Sequence, residues 1–113
     1  MPKTRVILEL GSGNDLHGSD YTKAALRAVQ DALHHSSLSF VRTLDVDKTR
    51  IDVDVTIGVQ RPAQVDLDTI KKSLPLGNVT VKAVKGGLDV ADPEADDHAV
   101  IASAAIAVRI ETK

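Results

Sequence analysis

The sequence predicts an α+β domain, in the order β-α-β-α-β-β, with a mixed four-stranded sheet and two helices on one face. Three stretches predict it. Residues 51–59, IDVDVTIGV, alternate apolar and polar without interruption, the two-residue period of a half-buried strand. Residues 20–34 carry Tyr21, Ala24, Ala25, Ala28, Val29, Ala32 and Leu33 at helical spacing. Residues 99–111 are small or apolar at nearly every position and rich in β-branched side chains, as expected of a central strand covered on both faces.

The remaining elements follow in chain order. Residues 5–10, RVILEL, alternate with Val6, Leu8 and Leu10 on one face, and predict the opening strand. Gly11 to Ser19 is glycine-rich and polar and reads as a loop. Ser19 or Asp20 then caps the first helix by accepting a free backbone amide. Ser36 to Arg50 reads mostly as loop. Pro62 ends the second strand, and Asp66 caps a short helix within VDLDTIKKSL that buries Leu67, Ile70 and Leu74 and stops at Pro75. Val79 to Val84 is the third strand, closed by Gly86 and Gly87, and Asp89 to Asp97 is an acidic loop. The β-α-β units predict parallel neighbours. The face away from the helices should carry Ile7, Glu9, Asp52, Asp54, Thr56, Thr80, Lys82, Ile101, Ser103, Ala105, Ala107 and Arg109. That mixture is too apolar for full solvation and too polar for a core, and it predicts a homo-oligomer.

Bulk properties narrow the function. A chain of 113 residues is one domain, 1–113. It buries roughly two thirds of its unfolded surface and needs no metal or disulfide staple. It has no Cys, which removes thiol chemistry. The start, MPKTRVILEL, is too short and charged for a signal peptide, no apolar run reaches membrane length, and the cytoplasm is the expected compartment. The net charge of -2 comes without a basic block, and Tyr21 and Phe40 are the only aromatics, so nucleic acid is not an expected partner.

The chemistry-bearing stretch is GSGNDLHGSDYTKAALR, residues 11–27. It joins the end of a strand to the start of a helix, the position where open α/β sheets bind ligands. A helix start offers unpaired amides and partial positive charge, which suit an anion. Gly11, Gly13 and Gly18 let backbone approach a ligand or adopt positive φ. They do not match a dinucleotide fingerprint or a P-loop, and no cofactor is expected. Lys23 and Arg27 either join Asp20, Asp31 and His34 in a solvated ion ladder or point back to hold an anionic ligand. Asp15, His17 and Asp20 form a possible acid-base set, in which a carboxylate orients the imidazole; the other reading is that they cap backbone groups. The helix advances about 21 Å from Asp20 to His34, which keeps His34 and His35 away from His17, so no metal site is expected unless another subunit or His98 supplies ligands.

The stretch DLHGSDYTKAALRAVQDALHHSSL resembles the signature of a small family of conserved hypothetical proteins found in bacteria and, with a long N-terminal extension, in plants. The resemblance is strongest over residues 11–38. It implies that Asp15, His17, Gly18, Asp20, Thr22, Lys23, Arg27 and Asp31 match the family pattern, with Gly11 and Gly13 fitting too, while Asn14 stands where an apolar residue is expected. It supplies no reaction. The order of elements is also similar to that of Bacillus chorismate mutase-like folds, which assemble as rings with sites between subunits; this is analogy of fold, and fold does not fix function. The functional expectation is a protein that binds a small anionic or polar metabolite through Gly11, Gly13, Gly18, Thr22, Lys23 and Arg27. As an enzyme it is a hydrolase or lyase with His17, Asp15 and Asp20 as the catalytic set. The alternative is a non-catalytic ligand-binding or regulatory oligomeric module.

Overall fold

The computed structural model describes residues 3–16, 20–34, 50–74, 77–94 and 96–111. The elements are β1 (Lys3–Asp15), α1 (Tyr21–His34), β2 (Ile51–Val59), a 3-10 turn (Pro62–Gln64), α2 (Leu67–Lys72), β3 (Asn78–Lys85), β4 (Leu88–Asp92) and β5 (Asp97–Glu111). The fold is α+β with a mixed sheet of five strands, one more than the sequence predicts. The loop expected over residues 36–50 lies outside the described residues up to position 49, as does His35.

The sheet order is β1-β5-β2-β3. β5 pairs antiparallel with β1 on one side and with β2 on the other, and β2 pairs parallel with β3. β1, β2 and β3 therefore run in one direction, and their C-terminal ends reach the same edge. The parallel β2-α2-β3 unit is as predicted. β1 and β2 are not neighbours, because β5 lies between them. Its alanines and β-branched residues let it fill that central position: Val100, Ala102, Ala104, Ile106, Val108 and Ile110 are buried on the helix side.

The predicted acidic loop is a hairpin. β4 pairs with the first residues of β5, Leu88 opposite Ile101 and Asp92 opposite Asp97. After β3 the chain steps across the end of β2 and takes the place beside β5 that β2 has vacated. Gln60 holds the step by donating from Nε2 to the carbonyls of Gly86 and Gly87 at 3.1 and 3.2 Å. Gly87 has φ +61, and a Cβ there would meet the Ile101 carbonyl at 2.1 Å. Only glycine fits this crossing. Five acidic residues among the nine at positions 89–97 masked the strand period, since Leu88 and Val90 alternate with Asp89 only briefly.

Both helices lie on the face formed by Val53, Val55 and Ile57 of β2. Ile70 anchors α2 and is fully buried, contributing about 1.5–3 kcal/mol by the usual area scaling. Leu74 is buried as well, but Leu67 is 38 % exposed, because it opens the helix away from the sheet. Asp66 caps α2 by accepting from the Thr69 amide at 3.3 Å, and hydrogen bonding from Thr69 holds its carboxyl below the ordinary value of 3.8.

β1 reverses the predicted orientation. It continues to Asp15, so Gly11 and Gly13 belong to a strand and not to a loop. Ile7, Glu9, Gly11, Gly13 and Asp15 lie opposite Val108, Ile106, Ala104, Ala102 and Val100 on the helix face. Leu8 and Leu10 lie on the open face opposite Ala107 and Ala105. Ile7 and Glu9 are thus removed from the expected open-face set. A register irregularity between Arg5 and Ile7 resets the alternation, and a shift of one residue exchanges the two faces. The physical reason for this choice is α1. A Cβ on Gly13 would sit 2.2 Å from the Ala28 nitrogen, and one on Gly11 2.4 Å from the Ala28 carbonyl and the Ala32 nitrogen. The helix backbone rests on the strand backbone, with Ala24, Ala28 and Ala32 fully buried between them.

This contact generates a prediction. Gly13→Ala forces α1 off the strand and lowers the unfolding free energy by about 1–3 kcal/mol or more, read from urea denaturation. A wild-type midpoint and slope would contradict the close approach.

Candidate functional site

The N-terminal end of α1 stands over the edge where β1, β2 and β3 end. Asp20 starts the helix: its Oδ1 accepts the Lys23 amide at 3.0 Å and its carbonyl accepts the Ala24 amide at 3.1 Å. This is the cap the sequence predicts, with Asp20 in the role.

Asp15, the last residue of β1, is the one buried charged residue among those described, at 4 % exposure. It is held from both sides. Its Oδ2 accepts the Asp20 amide at 3.0 Å. Its Oδ1 lies 3.6 Å from Nη1 of Arg27 and 4.0 Å from Nζ of Lys23. A buried carboxylate is stable only when charges and hydrogen bonds replace its lost hydration, and these groups do so. The two cations remain about half exposed, at 54 % for Lys23 and 49 % for Arg27.

Arg27 and Asp31 have a second task. Arg27 Nη1 donates to the Asn14 carbonyl at 2.6 Å, and Asp31 Oδ2 accepts the Ser12 amide at 2.9 Å. Ser12 and Asn14 are alternate residues, so both groups lie along one side of β1, the side away from β5. A cation and an anion one turn apart on α1 thus meet an acceptor and a donor on the sheet edge, which withdraws this length of edge from pairing with another strand. The expected solvated ladder of Asp20, Lys23, Arg27 and Asp31 is therefore anchored instead on β1 and on the helix cap.

Of the remaining predicted residues, Thr22 is committed to the fold. Its Oγ1 accepts the Asp66 amide at 2.9 Å and donates to the Gln64 carbonyl at 3.5 Å, tying α1 to the start of α2. Gly11 and Gly13 are covered by helix backbone on one face, so their small size serves packing. His17 and Gly18 lie outside the described residues. Asp15, Asp20, Lys23 and Arg27 come together at the start of α1.

The structure adds Tyr21, Asp89 and Arg61. Tyr21, 5 % exposed, donates its hydroxyl to Oδ2 of Asp89 in β4. Asp89 faces the helix because it lies opposite Val100. Its Oδ1 is buried and has no hydrogen-bond partner among the described residues. Burial first, then the hydrogen bond to Asp89 and that carboxylate's charge, push the Tyr21 phenol above its ordinary 10.0, with the positive charge of Arg61 opposing them. The sequence signal for Asp89 was weak, since 68 positions separate it from Tyr21.

The chain matches the model of the family described as conserved hypothetical protein (Lin0512_fam) over residues 5–108, and it belongs to that family. No curated protein matches it. It is similar to an FtsZ-like protein of unknown function from Nostoc punctiforme PCC 73102, known from its crystal structure. The two are 34 % identical, the likeness covers 99 % of each chain, and the TM-score is 0.78.

The Tyr21–Asp89 pair sets a pH dependence. Folding favours the neutral phenol, so its contribution is complete below the unfolded value of 10.0 and falls as pH rises through the higher folded value. Tyr21→Phe removes that alkaline loss. At neutral pH it costs about 1–2 kcal/mol, because the half-buried Asp89 carboxylate loses its donor. Denaturation curves at pH 7 and above pH 10 measure both effects, and identical pH dependence in the two proteins would contradict the assignment.

Proposed function

We propose that this protein binds a small anionic or polar metabolite at the N-terminal end of α1. The observation that carries the reading is the buried Asp15 carboxylate with Lys23 and Arg27 beside it, both half exposed. Asp15 fixes the two cations at the helix start, and their outer halves face solvent. A guanidinium has five donors and an ammonium three, more than the Asn14 carbonyl and one carboxylate oxygen use. A ligand carboxylate or phosphate meets both cations there, together with the positive end of the helix. Preorganised cations bind with little further loss of side-chain freedom.

If the protein turns its ligand over, His17 is the proton-transfer group. It follows Asp15 by two positions and precedes Asp20 by three, so either carboxylate is near enough in the chain to orient it. Lys23 holds the substrate's negative charge. Such a set suits hydrolysis or elimination on a small acid or heterocycle. A non-catalytic binding or regulatory module is the second reading. It is favoured by the commitment of both carboxylates, Asp15 to the Asp20 amide and Asp20 to the Lys23 amide. The likeness of element order to Bacillus chorismate mutase-like folds belongs to the same proposal, since sites in those folds lie at subunit borders.

A thermal-shift panel of small carboxylates, phosphates and polar heterocycles tests the reading. A panel member at 100 times its Kd stabilises the fold by about 2.7 kcal/mol. Lys23→Ala leaves the unliganded protein folded and abolishes the shift. His17→Ala abolishes turnover but retains binding if the protein is an enzyme. No shift across the panel, or an unchanged shift in Lys23→Ala, would contradict the site.

A further inference from the structure

We infer that the open face of the sheet is an interface with a second copy of this chain, an inference that stands apart from the ligand site. The helices cover one face only. Of the eight large apolar residues exposed among the described residues, five (Leu8, Leu10, Val84, Leu88 and Val90) lie on the other face by strand register. They span 43–64 % exposure. Large exposed apolar clusters on a folded domain mark interaction sites.

Three features select a second copy as the occupant. The first is charge. Lys3 pairs with Asp52 at 2.8 Å and Arg109 with Asp54 at 3.2 Å, both on this face. These pairs neutralise their own charges within the chain, and the further charged residues on this face, among them Arg5, Lys82 and Glu111, are of both signs, so an identical surface meets no large single-sign field. The second is shape. Leu8 and Leu10 stand as a ridge, and Leu8 forms one wall of a hollow of about 330 Å3 whose other walls include Ala105, Ala107, Thr80, Lys82 and the Asp54–Arg109 pair. A surface holding both ridge and hollow is able to match its own copy, as an isologous contact requires. The third is area. The fifty residues of the five strands, each covering about 3.3 by 4.8 Å, give a footprint on the order of 800 Å2 before side-chain relief is counted. Stable dimers bury about 800 Å2 per partner. Two such sheets pack face to face about 10 Å apart, as in a sandwich.

Sedimentation equilibrium tests the interface on the whole chain between 1 and 100 μM, in about 0.15 M salt. The wild type is expected at twice the 12.0 kDa chain mass or a higher multiple. Leu10→Asp and, at the far end of the face, Leu88→Asp are each expected to shift it to the single-chain mass while cooperative thermal unfolding persists. Gln30→Glu, exposed on α1, keeps the wild-type mass. A wild type at single-chain mass throughout, as would follow if a different protein covered this face, overturns the inference. So does a folded Leu10→Asp or Leu88→Asp protein that assembles like the wild type. The wild-type mass decides the matter even if one variant fails to fold.

Discussion

The structure depends on the contact between two backbones. Gly11 and Gly13 carry no side chains, and Ala24, Ala28 and Ala32 carry the smallest ones, so α1 settles directly onto β1. Any Cβ on the strand would lift the helix, because what it meets is helix backbone that has no rotamer to change. The short distance also sets the chemistry. It brings the helix start down to the end of β1, buries Asp15 beneath it, and lets Arg27 and Asp31 reach alternate groups along the strand edge.

The charges on α1 consequently serve the fold and the site together. Cations near a helix start oppose the helix dipole. Here the carboxylates of Asp15 and Asp20 offset that cost, one as an ion-pair partner and the other as a cap. Lys23 and Arg27 are thereby held at the C-terminal end of β1, with Tyr21 and Asp89 tying the helix start to β4. In open sheets this edge is the usual place for a ligand. The proposed ligand edge and the proposed assembly face lie on different parts of the domain, so the two proposals do not compete for surface.

Much of this was legible in the sequence where periodicity was unambiguous. β2 has the predicted bounds, α1 and α2 begin at Asp20 and Asp66 caps, and β5 is central as its small, two-sided composition requires. The face of β1 was not legible. Val6, Leu8 and Leu10 outweigh Ile7, Gly11 and Gly13 in hydrophobicity, yet the glycines occupy the tighter interface. Alternation alone does not say which parity a helix covers. β4 was hidden because its pairing with β5 is a tertiary fact and its acidic residues resemble a loop. In the site, neighbours in the chain were found together, Asp15 with Asp20, Lys23 and Arg27. Tyr21 on α1, Asp89 on β4 and Arg61 in the turn after β2 are distant in the chain, and no spacing rule links them.

The central claim is that α1 is clamped onto β1 by backbone contact and by carboxylates that hold strand and cap amides. Native-state hydrogen exchange at the Ser12 and Asp20 amides tests it most directly, since neither amide is held by ordinary ladder or helix bonding. The account predicts that both are protected and open together with the amides of α1, as one cooperative unit. Exchange of either amide at the rate of an unprotected chain, while α1 remains protected, would contradict it.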